Sequence, residues 1–406
     1  MTKERLAVLL QKTGPIAPQG FAAVAGDLGS DASELLPAAC LQEVLDLHRV
    51  PEDKKGMLLK ALDEANAVPE LVELAHVMAK DAVRSLIRCT VIGHVQPKPQ
   101  CLTGFARDAF GFLFTQMCVI EGRKALRSRG VPETYDLDIP ERMTRKQLEK
   151  FVTTGDINFD DYQWDINFYC CGIFLLDRFY FIPYRWWGSP QAWRHVHTGK
   201  VVAVWEGGAR VRRDGQLDGV NGVFDDEAFE TVYEETERSV TANPVSPEGT
   251  IRKEPITLDK SEWQLALKEG DYLLALHIPG GEGYTTERVR KSCMMALEFY
   301  QTYYPEYAYA GFWSESWLYD PGLARLLGPE RNISRVQRQF YCYPTMEGDR
   351  MARKEMRHDP ETAARSTLTQ GMLDAWARGE RFHTTGMFLL REEVPDVGGD
   401  PYWRDL

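Results

Sequence analysis

Gly280, Gly281 and Gly283 fall within four residues, after an apolar run at 272–278 and Pro279, and just before Tyr284, Thr285 and Thr286. That order reads as strand, tight loop, helix start. Glycines let a backbone approach a ligand closely, and the first N–H groups of a helix have no partner inside it. Together they make an anion site, and the chemistry they suit is the cradling of a phosphate-bearing ligand such as a CoA-type donor. The same loop would also serve as a plain strand-to-helix turn. The helix that must follow is well marked: Val289, Cys293, Ala296, Leu297, Tyr300 and Tyr304 recur at three- and four-residue spacing, and Pro305 ends it. Thr285 or Thr286 suits its N-cap, and Arg288 and Arg290 lie in its first turns, within reach of phosphate.

The 406 residues suit two domains, and 44% hydrophobic with 27% charged residues is ordinary for a water-soluble globular chain. A net charge of −12 argues against nucleic acid and anionic membranes as main partners. No run approaches the roughly 18 apolar residues of a membrane span, and the N-terminus has no signal-peptide pattern. The eight cysteines include no C-x-x-C pair and no set at metal-ligand spacing, so no metal site is expected. They read as mostly buried, reduced thiols of a cytoplasmic protein, with Cys170 and Cys171 on opposite faces of a strand.

The elements that must position the loop separate into two kinds. Up to about residue 167 the pattern is helical, with apolar stripes at 55–65, 70–88 and 107–129 and a shorter one at 144–153. From 168 onward aromatic and β-branched runs alternate with glycine turns. The run 168–184 predicts two strands joined tightly at Asp177-Arg178; 195–206 and 209–213 predict further strands. Residues 240–254 read as a connecting loop. Asp259 to Glu262 reads as a capping box opening a short helix that ends at Gly270. Residues 309–318 and 336–343 predict strands on either side of a short helix near 322–327. Residues 346–406 are charged and weakly patterned and read as a C-terminal extension. The expected fold class is α+β, a helical first domain (1–167) followed by a mixed, mainly antiparallel sheet with flanking helices (168–345).

Several strings occur in an order that resembles the GNAT-like acyltransferase family, in its bacterial branch with a helical N-terminal domain and a GNAT-like C-terminal domain. They are Leu276-His277-Ile278-Pro279, the aromatic stretch from Phe299 to Pro305, Ser316-Trp317-Leu318-Tyr319-Asp320-Pro321, and the stretch from Asn332 to Phe340. The resemblance spans roughly residues 35–345. It implies transfer of an acyl group from an acyl-CoA or acyl-carrier thioester to an amine of a small-molecule acceptor, with acyl-carrier protein a partner where the donor is carrier-bound. It further implies that the strands at 272–278 and 309–318 splay apart around the donor. Ile278, Gly280, Gly281, Gly283, Tyr284, Thr285, Thr286 and Arg288 would then hold the donor's phosphates. The family's usual loop opens with Arg or Gln, where this chain has Ile278, and Glu282 adds a negative charge near the phosphate position.

Acyl transfer to an amine needs a base, a polarised carbonyl and a departing thiolate. His277 at the strand end is a candidate base, and Glu315, inside an apolar strand, is a second whose pKa burial would raise. Ser316, with Ser314 on the same face, is a candidate donor to the thiolate; Tyr284 and Tyr319 are candidate acids. Each also has a plain structural reading as a packed or solvated residue. A non-catalytic scaffold on the same fold would show a closed gap between the strands. The cluster Tyr184, Arg185, Trp186 and Trp187, with Trp193, suggests an acceptor site or, in a third reading, carbohydrate binding by stacking.

Overall fold

The computed structural model describes residues 1–18, 21–30, 32–88, 95–135, 138–358 and 367–402. The chain forms two compact units, Met1–Phe174 and Leu175–Leu406.

The first unit is helical. Its centre is the helix Gly104–Ser128, whose residues from Ala109 to Val119 are all buried. A helix apolar on every face must lie inside a bundle, and this one packs against Glu52–Asn66 and Pro69–Arg88. Pro69 opens its helix at the first position, where the missing N–H costs nothing. The unit extends past residue 167 because Tyr162–Tyr169 is a helix whose Ile166 and Tyr169 join the same core. Cys170 caps that helix and Cys171 sits at a φ of 54°, so the pair lies in a helix-ending turn and not in a strand. Cys118, Cys170, Cys171, Cys293 and Cys342 are buried free thiols, Cys101 is intermediate and Cys40 is exposed; Cys89 lies outside the described residues.

The second unit is built on a six-stranded sheet in the order Phe174–Leu176, Phe179–Arg185, Tyr272–His277, Gly311–Ser316, Thr385–Leu390, Tyr341–Pro344. Tyr272–His277 is antiparallel to Phe179–Arg185, and Thr385–Leu390 is antiparallel to both its neighbours. The central pair, Tyr272–His277 with Gly311–Ser316, is parallel. A parallel pair needs a crossover, which the helix Thr286–Tyr303 supplies. A second sheet of five strands, centred on Gln191–His195 and Val201–Val204, and a three-stranded sheet enclose a small core of Trp193, Val202, Val204, Val240, Ala242 and Leu258. The fold class is α+β, with a mainly antiparallel sheet and flanking helices.

Four readings of the sequence are corrected here. Residues 346–406 are no appendage, because Thr385–Leu390 is buried at every position inside the main sheet. Residues 256–267 form two strands, Ile256–Asp259 and Trp263–Leu267, that join different sheets, and not a helix: Asp259 accepts hydrogen bonds from the N–H and hydroxyl of Ser261, closing an Asx turn that uses the same residue types as a capping box. The stretch 240–254 contains the strands Pro244–Ser246 and Thr250–Ile251 and the end of Ser239–Ala242. Finally, 336–343 is the end of helix Asn332–Gln337 followed by the strand Tyr341–Pro344.

Candidate active site

The parallel pair is in register only at Leu274↔Phe312 and Ala275↔Trp313. Beyond those rungs Leu276 and His277 run on along one strand, and Ser314, Glu315 and Ser316 along the other, with no rung between them. Both strands keep their outer partners over this stretch, so each is held by its neighbour while the gap between them opens. The glycine loop begins where one of the diverging strands ends.

The loop is held by a residue that sequence reasoning passed over. Arg178, in the tight turn between Phe174–Leu176 and Phe179–Arg185, donates to the carbonyl oxygens of Pro279 (2.7 Å), Gly281 (3.1 Å) and Glu282 (2.8 Å). In a trans peptide the N–H points opposite to the C=O. The N–H groups of Gly280, Glu282 and Gly283 therefore face away from the guanidinium. Among the described residues, none of the N–H groups of 280–284 donates a hydrogen bond. Gly281 and Gly283 take φ of 99° and 90°, values an L side chain rarely adopts, which is why glycine is needed at both. Burial, with Arg288 nearby, holds the Arg178 pKa below its ordinary value. Ile278 leaves the loop with no basic residue of its own, and the neighbouring hairpin supplies one.

The helix start is set by the same turn. Thr285 is the N-cap and accepts from the Arg288 N–H at 3.3 Å. Asp177 takes ion pairs from Arg288 (2.6 Å) and Lys291 (2.7 Å), and the Arg178 N–H donates to Ser292 Oγ at 3.1 Å. Arg288 is thus committed to Asp177 rather than left free over the loop. Thr286 opens the helix itself, and the Glu282 side chain is exposed.

Register sorts the other candidates by face. Ala275 pairs with Trp313, so His277 shares its sheet face with Trp313 and Glu315, while Ser314 and Ser316 point to the opposite face. Burial depresses the His277 pKa to about 4, which makes it a neutral and weak base at pH 7. Glu315 is raised above the ordinary carboxylate range, first by burial and then by the nearby Glu347 charge. Ser316 Oγ accepts from the Leu318 N–H at 3.1 Å and so caps the following turn. On that opposite face the phenols of Tyr284 and Tyr319 lie within interaction distance of each other, with Ser314 beside Tyr319. Burial raises both phenol pKa values, so both stay protonated donors, and neither oxygen has a well-formed hydrogen bond among the described residues.

Glu315 opens onto a cavity of about 470 Å³ that Trp186 and Trp187 also line. The aromatic cluster noted in the sequence is thereby joined to a titratable group of the splayed strand. Trp205, Trp313 and Tyr343 also line it, whereas Trp193 lies in the core of the second sheet.

Residues 197–388 match the family model described as the GNAT-like C-terminal domain. The chain carries a GNAT-like C-terminal domain. Solved structures agree on the fold over nearly the whole chain. An acyltransferase in complex with decanoyl-CoA and teicoplanin is 16% identical, with a TM-score of 0.52 over 96% of this chain and 99% of that one. An acyltransferase in complex with decanoyl-CoA alone is 15% identical, with a TM-score of 0.51 over 96% and 99%. No curated protein matches the chain. The unpaired strand ends, the glycine loop and the crossover helix described above all belong to this GNAT-like domain.

Proposed function

We propose that this protein is an acyltransferase that moves an acyl group from an acyl-CoA-type thioester to an amine of a small-molecule acceptor. The observation that carries this reading is the open gap between two parallel strands, beside a loop whose N–H groups are turned outward by Arg178. A scaffold would have no use for such a gap. The similar folds of acyltransferases solved with decanoyl-CoA support a CoA-type donor.

In this reading the phosphates lie on the N–H groups of Gly280, Gly281, Gly283 and Tyr284 and on the start of the helix after Thr285 and Thr286. Arg178 contributes from beneath the loop by holding it open and by its charge. The thioester reaches into the gap. Glu315, its pKa raised by burial, is the base that takes a proton from the acceptor nitrogen, in place of His277, whose pKa of about 4 makes it a weak base. Tyr319 and Tyr284, permanently protonated, donate hydrogen bonds to the departing thiolate; Ser316 shapes the turn that carries Tyr319.

Calorimetric titration with acetyl-CoA, decanoyl-CoA and an acyl-loaded carrier protein tests the donor site and separates CoA from carrier. Saturable binding of at least one thioester is expected, and Gly281→Asp should weaken it at least tenfold without lowering the melting temperature by more than a few degrees. Absence of binding to all three would overturn the reading.

A further inference from the structure

The cavity at Glu315 has two kinds of wall. One is aromatic: Tyr184 lies flat on Trp313 (centroids 4.0 Å, interplanar angle 3°), and the Trp313 indole N–H donates to the Tyr343 hydroxyl at 2.7 Å. This slab is rigid, because both rings are fixed by a neighbour and cannot turn away from an occupant. The other is charged, with small and aliphatic residues between. Asp218 is neutralised by Arg210 at 3.2 Å, but among the described residues Glu206 and Glu315 have no cationic partner. The two carboxylates sit at different depths. Glu315 is half-buried beside the aromatic slab, while Glu206 is exposed; Trp187, also in the lining, is 56% exposed and carries the Arg185 guanidinium over its ring at 4.9 Å. Two carboxylates without a cationic partner, at different depths on one cavity with an aromatic slab, match a molecule that carries two positive charges joined by an apolar stretch.

Building on the acyltransferase reading, we propose that this cavity is the acceptor site and that its acceptor is a linear diamine. The distal ammonium rests between Glu206 and Trp187, and the methylenes lie along the aromatic slab. The proximal nitrogen sits at Glu315, at the mouth of the gap between the strands. In the transfer the neutral proximal amine forms the C–N bond, the C–S bond of the thioester breaks, Glu315 takes the proton the nitrogen sheds, and the thiolate leaves as a thiol once protonated. Holding the distal charge lets the proximal end lose its proton while the molecule stays bound, which a mono-amine cannot do. The chain's net charge of −12 favours the approach of such a dication.

The test measures 1,5-diaminopentane, 1-aminopentane and glucosamine in two formats with the full-length protein. The first is direct calorimetric binding without any thioester. The diamine should bind at least tenfold more tightly than the mono-amine or the amino sugar, and Trp187→Ala and Glu206→Gln should each weaken it about tenfold. The second is thiol release from decanoyl-CoA, where Glu206→Gln should raise KM for the diamine and Glu315→Gln should lower kcat. Equal binding of the three amines, preference for glucosamine, or diamine affinity untouched by Trp187→Ala and Glu206→Gln would each overturn the proposal. Because the first format needs no donor, its result stands apart from the donor titration that decides the acyltransferase reading.

Discussion

At the scale of single residues, environment assigns the roles. His277 and Glu315 lie on the same face of adjacent strands, yet burial pushes them in opposite directions: the imidazole away from its charged form, the carboxylic acid toward its neutral one. Both shifts share their leading cause, the cost of charge in a partly dry site, to which the Glu347 charge adds for Glu315. The His277 shift has a consequence for stability. Its pKa is about 4 when folded and near 6.5 when unfolded, so between those values the unfolded chain binds the extra proton. Stability is therefore full above pH 6.5 and falls as the pH drops toward 4, by about 3 kcal/mol in total. Replacing His277 with Asn should remove this contribution. Denaturant unfolding at pH 7 and pH 4.5 should show a stability difference smaller in the variant by roughly 2 kcal/mol. An identical pH dependence in both proteins would mean that His277 is not held neutral by burial.

At the scale of elements, the turn at Asp177-Arg178 organises the glycine loop. Asp177 fixes the helix through Arg288 and Lys291, and Arg178 fixes the loop through three carbonyls. Arg178→Ala should leave those carbonyls without their donor and free the loop peptides to turn. Donor affinity should fall at least tenfold while kcat at saturating donor changes less than threefold, since Arg178 does not reach the reacting carbon in the proposed arrangement. A kcat loss with unchanged donor affinity would count against this role. The sequence displayed Asp177-Arg178 only as a tight turn between two strands, because its partners lie about a hundred positions away. In contrast, the strand–loop–helix order at 272–303 was legible, since an apolar run, three glycines, a threonine cap and a 3.6-residue stripe are local signals. The two strands at 256–267 show the limit of local signals. Asp259 and Ser261 make the same side-chain bonds in an Asx turn as at a helix start, and only pairing of Trp263–Leu267 with Gln191–His195 decides between them.

At the scale of the whole molecule, the second unit depends on a strand from the far end of the chain. Thr385–Leu390 lies between Gly311–Ser316 and Tyr341–Pro344 and is buried at every position. Removing residues 346–406 would expose the backbone edge of the very strand that carries Glu315. We expect this truncation to abolish the native near-ultraviolet dichroism of the aromatic-rich second unit and to give an aggregating product. A soluble truncated protein with an unchanged aromatic spectrum would contradict that expectation.

The residue pattern by itself determined the helical first part, the two faces of the splayed strands and the glycine loop, because each rests on periodicity or on a conformational demand that a short stretch of chain expresses. It also carried the family resemblance, read over roughly 35–345, of which the family model matches 197–388. Tertiary structure alone decided that Arg178 binds the loop carbonyls, that Arg288 belongs to Asp177, that Trp193 is core while Trp187 lines a cavity, and that the weakly patterned tail supplies an interior strand. These are pairings between positions far apart in the chain, and their energies depend on burial and register, which no local signal encodes.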